Sequence, residues 1–243
     1  MTSPDHASSG LDGRVAVISG ATGGLGRVAS RALGEAGARL ALLGTSKERL
    51  RALADELAGR SDRVLIRAVD LAKPDGAPDT AAAVADRFGR VDIVLHLVGG
   101  WAGGQAVPDV TDEVVADMLD RHLWSTLYLA RAFVPRLTAN GWGRFIAVSS
   151  PAASDPPARQ LPYVVGKAAQ EALVLTLAQE LRGSGVTANL IVVQKIEETL
   201  DRTDPGHGAK GTTPEEIAAA ILYLCSHDAR AVNGARLPLY RSR

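Results

Sequence analysis

The chain has 243 residues, 46% hydrophobic and 22% charged, enough for one sizeable core and consistent with one α/β domain. Its 27 basic and 27 acidic residues cancel, so net charge gives no reason to expect nucleic acid or an anionic membrane as partner. A small anionic ligand, which needs only local positive charge, is not excluded. A single cysteine, Cys225, rules out an intrachain disulfide and reads as a small apolar residue within Ala218–Cys225.

Met1–Gly13 is polar and lacks a basic region followed by an apolar core, so it is expected to be a flexible N-terminus and not a signal peptide. No uncharged apolar run reaches membrane-spanning length, and a cytoplasmic protein with no membrane partner is the expectation. Residues 14–243 are expected to form one dinucleotide-binding and catalytic domain. Arg14–Ser19 predicts a short buried strand, followed by a glycine-rich turn and a helix to about Gly37. Strand Arg39–Leu43 and the charged helix Lys47–Leu57 come next, then strand Val64–Val69 and a helix over roughly Thr80–Phe88. Val91–Val98 predicts an almost continuous apolar strand. The second half repeats the rhythm with helix Asp112–Leu137, strand Arg144–Ser149, helix Leu161–Arg182 and strand Val186–Val193. Helix Pro214–Cys225 starts at Thr212–Thr213 with Pro214, Glu215 and Glu216 in its first turn, and a short strand near Ala235–Leu239 ends the series. Seven strands alternating with about six helices predict a single-domain Rossmann-type α/β fold, a doubly wound parallel sheet with helices on both faces. The least regular segments, Val98–Val107, Pro151–Gln160 and Gln194–Gly211, each follow the C-terminal end of a strand, where open α/β sheets bind ligands.

The first strand leads into Ser19-Gly20-Ala21-Thr22-Gly23-Gly24-Leu25-Gly26. Glycines there allow a tight turn and close approach to a pyrophosphate, and the following helix N-terminus favours phosphate. Gly20, Thr22, Gly24, Leu25 and Gly26 are therefore candidate cofactor-binding positions. The second strand ends in Gly44-Thr45-Ser46-Lys47, without the carboxylate that would bond both ribose hydroxyls in an NAD site. Thr45, Ser46 and Lys47 suit an adenosine 2′-phosphate, so NADP(H) is favoured over NAD(H); Ser46 also reads as the cap of the next helix.

Tyr163 and Lys167 are four residues apart on a predicted helix and share one face, with Ser150 at the end of the preceding strand. A tyrosine hydroxyl, with an ordinary pKa of about 10, becomes a usable proton donor beside an ammonium group. Ser150 would bond the reacting oxygen.

With these pieces in this order, the chain resembles the short-chain dehydrogenase/reductase (SDR) family over nearly its whole length, as an atypical member. The matching segments are Gly20–Gly26, Asp70-Leu71, Ser150, Tyr163-x3-Lys167 and Val232–Gly234. The resemblance implies Tyr163 as general acid/base, with Lys167 holding the ribose and lowering the tyrosine pKa. It further implies Ser150 orienting a substrate carbonyl, Asp70 and Leu71 at the adenine, and Gly99 and Ile196 close to the cofactor.

Three places depart from the family pattern. His96-Leu97-Val98-Gly99 stands where an Asn-Asn-Ala-Gly run is usual, His122 takes the place of a catalytic asparagine, and Val193-Gln194 replaces a Pro-Gly pair, with Thr199 near a family threonine. His122 reads either as a proton-relay residue, since histidine titrates near neutrality, or as a helix histidine with one local hydrogen bond. Lys195, Glu197 and Glu198 read as surface charges. The expected activity is NAD(P)(H)-dependent reduction of a carbonyl or oxidation of an alcohol on a small to medium, moderately apolar substrate. The alternatives are non-redox proton transfer through Tyr163, as in cyclisation or dehydration, and, more distantly, a non-catalytic dinucleotide-binding regulatory protein. Trp101, Gln105 and Gln160 are the candidate substrate-pocket residues, with Pro156, Pro157 and parts of Lys195–Lys210. No metal site is expected. The helices Asp112–Leu137 and Leu161–Arg182 are apolar on more than one face, which predicts a homodimer or homotetramer.

Overall fold

The computed structural model describes residues 10–57, 61–197 and 211–240. Expectations for Met1–Ser9, Glu198, Thr199 and 200–210 lie outside the described residues. Among the described residues, seven strands form one fully parallel sheet: β1 (Val15–Ser19), β2 (Arg39–Gly44), β3 (Val64–Ala68), β4 (Ile93–His96), β5 (Gly143–Ser149), β6 (Val186–Val192) and β7 (Arg236–Pro238). Their order is β3-β2-β1-β4-β5-β6-β7.

Side-chain alternation along β1 builds two cores. Val15 and Val17 join Ala41, Leu43 and Val94 on one face, against helices α3 (Gly76–Phe88), α5 (Ser125–Ala139) and α6 (Leu161–Glu180). Ala16 and Ile18 join Leu40, Leu42, Ile93 and Leu95 on the other, against α1 (Gly24–Glu35), α2 (Lys47–Glu56) and α7 (Pro214–Cys225). A strand covered on both faces has no polar side, which is why β1 and β4 read as unbroken apolar runs. Cys225 is buried in the second core and unpaired.

From β1 the chain winds outward through β2 and β3, then crosses back to β4 on the other side of β1. This reversal opens a crevice at the C-terminal ends of β1 and β4. β4 stops at His96, two residues short of the expected Val98, because the chain must then pass Gly20, where a Cβ would lie 2.9 Å from the Leu97 carbonyl carbon.

The long helix expected over Asp112–Leu137 is two helices, α4 (Asp112–Leu119) and α5, joined by a π-helical turn over Asp120–Trp124. At this junction the Ser125 and Thr126 hydroxyls donate to the Arg121 and His122 carbonyls, one turn back. The extra residue in that turn directs His122 toward the crevice.

Candidate active site

The crevice is one trough with two adjoining cavities that share Gly20, Gly23, Leu97, Val98 and Gly99. The outer cavity, about 620 Å³, includes Thr22, Thr45, Asp70, Leu71, Arg49, Lys73 and Arg121 in its lining. The inner one, about 320 Å³, is lined by Gly24, Leu25, Gly26, His122, Tyr163, Lys167, Gln194, Lys195 and Ile196, among others. Sequence reading did not single out Arg49, Lys73 or Arg121. The available signal was positional: Arg49 lies in the first turn after β2, and Lys73 just beyond Asp70. Lys195 is exposed, as expected of a surface charge, and also borders the inner cavity, 3.9 Å from Glu197.

The glycine turn fits a pyrophosphate. Gly20 has φ +69°, a left-handed conformation, and a Cβ on Gly26 would sit 2.2 Å from the Gly20 carbonyl oxygen. Helix α1 has no side-chain cap and no acid in its first turn, so neither its cap residue nor its first turn competes with an anion at its N-terminus. At the end of β2, the Ser46 hydroxyl caps α2 by accepting the Arg49 N–H at 3.3 Å, and neither Ser46 nor Lys47 borders the trough. Asp70 accepts the Ala72 N–H at 3.0 Å.

At the inner end, α6 starts so that Tyr163 and Lys167 face the cavity from successive turns. Burial raises the Tyr163 pKa, opposed by a hydrogen bond with Ser150, so the phenol holds its proton at neutral pH. Ser150 is buried behind it, and its oxygen also accepts the Ala152 N–H at 3.3 Å. The Lys167 ammonium donates to the Val148 carbonyl at 2.8 Å and to Gln170 Oε1 at 3.0 Å. Its burial brings the pKa down to about 7, with Glu171 opposing the shift.

His122 has no exposed surface and its ring meets Tyr163 edge-on, centroids 5.7 Å apart. Its Nε2 lies 3.2 Å from the Gly100 carbonyl and donates to it, which leaves Nδ1 as a buried acceptor without a partner among the described residues. Burial and the nearby Lys167 hold its pKa at about 3, so the ring is neutral where histidines ordinarily titrate. Room for this ring comes from Gly166, where a Cβ would lie 2.9 Å from His122 Cδ2 and 2.8 Å from the Met118 carbonyl oxygen.

His96, in another of the three departures, forms a polar pin. Ser125 donates to the Arg121 carbonyl at 2.6 Å, so its oxygen accepts from His96 Nε2 at 3.1 Å. His96 Nδ1 is then the acceptor for Ser19 Oγ–H at 2.7 Å. One neutral imidazole thus ties the ends of β1 and β4 to the π-helical turn. Burial, with smaller contributions from Lys167 and His122, depresses its pKa to about 3. Two such histidines make acid stability predictable. The unfolded chain takes up protons below about pH 6.5 that folded His96 and His122 refuse, so their contribution is full above that pH and is lost as pH falls toward 3. The slope reaches about 1.4 kcal/mol per pH unit for each histidine. His96→Leu should cost about 1–3 kcal/mol at pH 7, because Ser19 and Ser125 each lose a buried partner, and should shallow the acid slope. Urea unfolding at a series of pH values reads both; unchanged slope and midpoint would contradict the pin.

The candidate pocket residues stand apart from these walls. Trp101 is 61% exposed, its indole folded over Gly103, and neither it nor Gln105 nor Gln160 borders the inner cavity. The loops carrying them are joined where the Gly104 N–H donates to the Arg159 carbonyl at 2.7 Å. Among the described residues, no group of three or more side chains is placed to hold a metal ion, and no helix is long and apolar enough to cross a membrane.

Comparison with known proteins agrees with this architecture. A family model described as short chain dehydrogenase matches residues 14–204. A D-beta-hydroxybutyrate dehydrogenase of Rhizobium meliloti is 32% identical over 256 residues, covering 93% of this chain and 96% of the relative. A 2,3-dihydroxy-2,3-dihydro-p-cumate dehydrogenase of Pseudomonas putida is 31% identical, with 92% of each chain covered. Among solved structures, an L-sorbose reductase of Gluconobacter frateurii, complexed with NADPH and L-sorbose, superposes with a TM-score of 0.86 at 28% identity, covering 96% of this chain and 97% of that one.

Proposed function

The chain belongs to the short-chain dehydrogenase family, and on that premise we propose that it is an NADP(H)-preferring oxidoreductase that reduces a carbonyl or oxidises an alcohol at Tyr163. The observation that carries this reading is the single trough that runs from the glycine turn to a protonated Tyr163 backed by Ser150 and Lys167. The dinucleotide, when bound, supplies the hydride donor or acceptor. Gly20, Gly24, Leu25 and Gly26 hold its pyrophosphate with backbone groups, Asp70 and Leu71 border its adenine, and Gly99 and Ile196 line the inner end. In the reductive direction the Tyr163 hydroxyl protonates the substrate oxygen while Ser150 orients it. The Lys167 ammonium binds ribose hydroxyls and favours the phenolate that forms. Trp101, Gln105 and Gln160, on the joined loops, meet the part of the substrate that projects from the trough, a moderately apolar carbonyl or alcohol compound.

Support for NADP(H) comes from the outer cavity, where Thr45, Arg49 and Lys73 face the space beyond β2 with no carboxylate on that strand end. The L-sorbose reductase relative carries NADPH. Thr45→Asp should shift the NADPH-over-NADH preference in kcat/KM toward NADH by about tenfold or more, from like-charge repulsion of roughly 1.4 kcal/mol. An unchanged ratio would count against Thr45 as part of the selector. A homo-oligomeric assembly is also proposed: Trp124 is 39% exposed and stacks on Tyr128 at 5.9 Å, on the helix pair whose apolar surface exceeds what one core covers. Light scattering at micromolar concentration tests it, and a monomer would refute it. A cytoplasmic location is proposed with it, tested by fractionating cells that express the chain.

A further inference from the structure

We propose that Gln170 is a positioning residue for Lys167, fixing its ammonium through a hydrogen-bonded chain anchored on the π-helical turn. The inference rests on the proposed use of Lys167, but its first test does not require turnover. Gln170 lies one turn beyond Lys167 on α6 and has no exposed surface. Its Oε1 accepts from Lys167 Nζ at 3.0 Å, and its Nε2 donates to Thr126 Oγ1 at 3.1 Å. The Thr126 proton is committed to the His122 carbonyl. Thr126 can therefore only accept from Gln170, and the amide has a single orientation, with its oxygen toward the ammonium.

Two consequences follow for Lys167. With the Val148 carbonyl as the other acceptor, two of three ammonium protons are engaged and one remains for the trough. The buried charge is also held by charge-assisted bonds to two fixed oxygens, which offsets part of its desolvation. Among the described residues, the titratable groups facing Lys167 are few. On its own helix they are Tyr163 and Glu171, the latter paired with Arg236 of β7 at 2.8 Å. From the π-helical turn and β4 come His122 and His96, both neutral at working pH. A neutral amide with a locked acceptor is thus the nearest side-chain control on the lysine.

The test is a pH titration of the full chain labelled at lysine Cε and followed by NMR, with the Lys167 signal identified by its loss in Lys167→Arg. The wild-type midpoint is expected near 7. Gln170→Glu, which keeps the shape and adds a charge, should raise it by about one pH unit or more, and Gln170→Met should lower it. Thr126→Val, which unlocks the amide, should move the midpoint in the direction of Gln170→Met, while Thr126→Ser should keep it at the wild-type value. The alkaline limb of the pH–rate profile should follow these shifts, with Gln170→Met lowering kcat about tenfold. Folded Gln170→Met and Thr126→Val proteins with an unmoved midpoint would overturn the proposal. If neither folds, Gln170→Glu and Thr126→Ser decide it, and a midpoint that fails to rise in Gln170→Glu overturns it. Shifted midpoints without hydride transfer in any variant would leave the positioning role standing and refute the redox reading instead.

Discussion

Tyr163→Phe is expected to lower kcat by roughly 100- to 10,000-fold, the usual contribution of a positioned acid or base, with NADPH affinity changed by less than threefold. The expectation follows from what the hydroxyl does in this structure. It holds its proton at neutral pH because burial raises its pKa against the opposing influence of Ser150, and it borders the cavity that continues into the glycine turn. The aromatic ring would remain in its edge contact with His122, so the loss falls on the proton donor and not on the wall. Steady-state kinetics with NADPH fluorescence titration separates the two quantities. A variant with wild-type kcat would remove Tyr163 from the reaction.

Gly26→Ala is expected to weaken dinucleotide binding by more than tenfold and to destabilise the fold by about 1–3 kcal/mol. The new methyl carbon would come within 2.2 Å of the Gly20 carbonyl oxygen and 2.7 Å of the Ala21 carbonyl. These are backbone atoms of the turn, not the ends of flexible side chains. Relieving the contact requires α1 to move away from β1, and that displaces the uncapped N-terminus that would meet the pyrophosphate. Isothermal titration with NADPH, alongside a urea melt, reads both effects. Binding at wild-type strength would show that the close packing of Gly26 is not what shapes the cradle. Paired with Tyr163→Phe, this variant divides the trough by role: one loses chemistry with binding intact, the other loses binding.

Much of the fold was legible because its signals are local. The apolar runs of β1 and β4 announce strands covered on both faces, and Thr212–Thr213 ahead of Pro214, Glu215 and Glu216 mark the start of α7, where the structure shows Thr213 and Glu216 forming a capping box. The break between α4 and α5 was not legible. Helical periodicity runs through Asp112–Leu137, and only the paired Ser125 and Thr126 hydroxyls hint at the extra residue in the turn. The same limit applies at the site. Tyr163 and Lys167 are visible through helical spacing, but Gln170, Thr126 and His96 act through contacts between elements far apart in sequence. His96 and His122 first register as departures from a family pattern. Their hydrogen bonds give each a job: one pins β1 and β4 to the π-helical turn, and the other donates to the Gly100 carbonyl in a space opened by Gly166. Burial also removes the near-neutral titration expected of a surface histidine, a property residue type alone does not convey.

The most direct test of hydride transfer at Tyr163 is a single-turnover reaction of the enzyme with NADPH deuterated at its transferable position, against a panel of small carbonyl compounds. The expected result is oxidation of bound NADPH with deuterium recovered in the alcohol product, both abolished in Tyr163→Phe. Conversion of a substrate with the bound NADPH and its label intact would contradict hydride transfer and mark Tyr163 as a proton donor in non-redox chemistry.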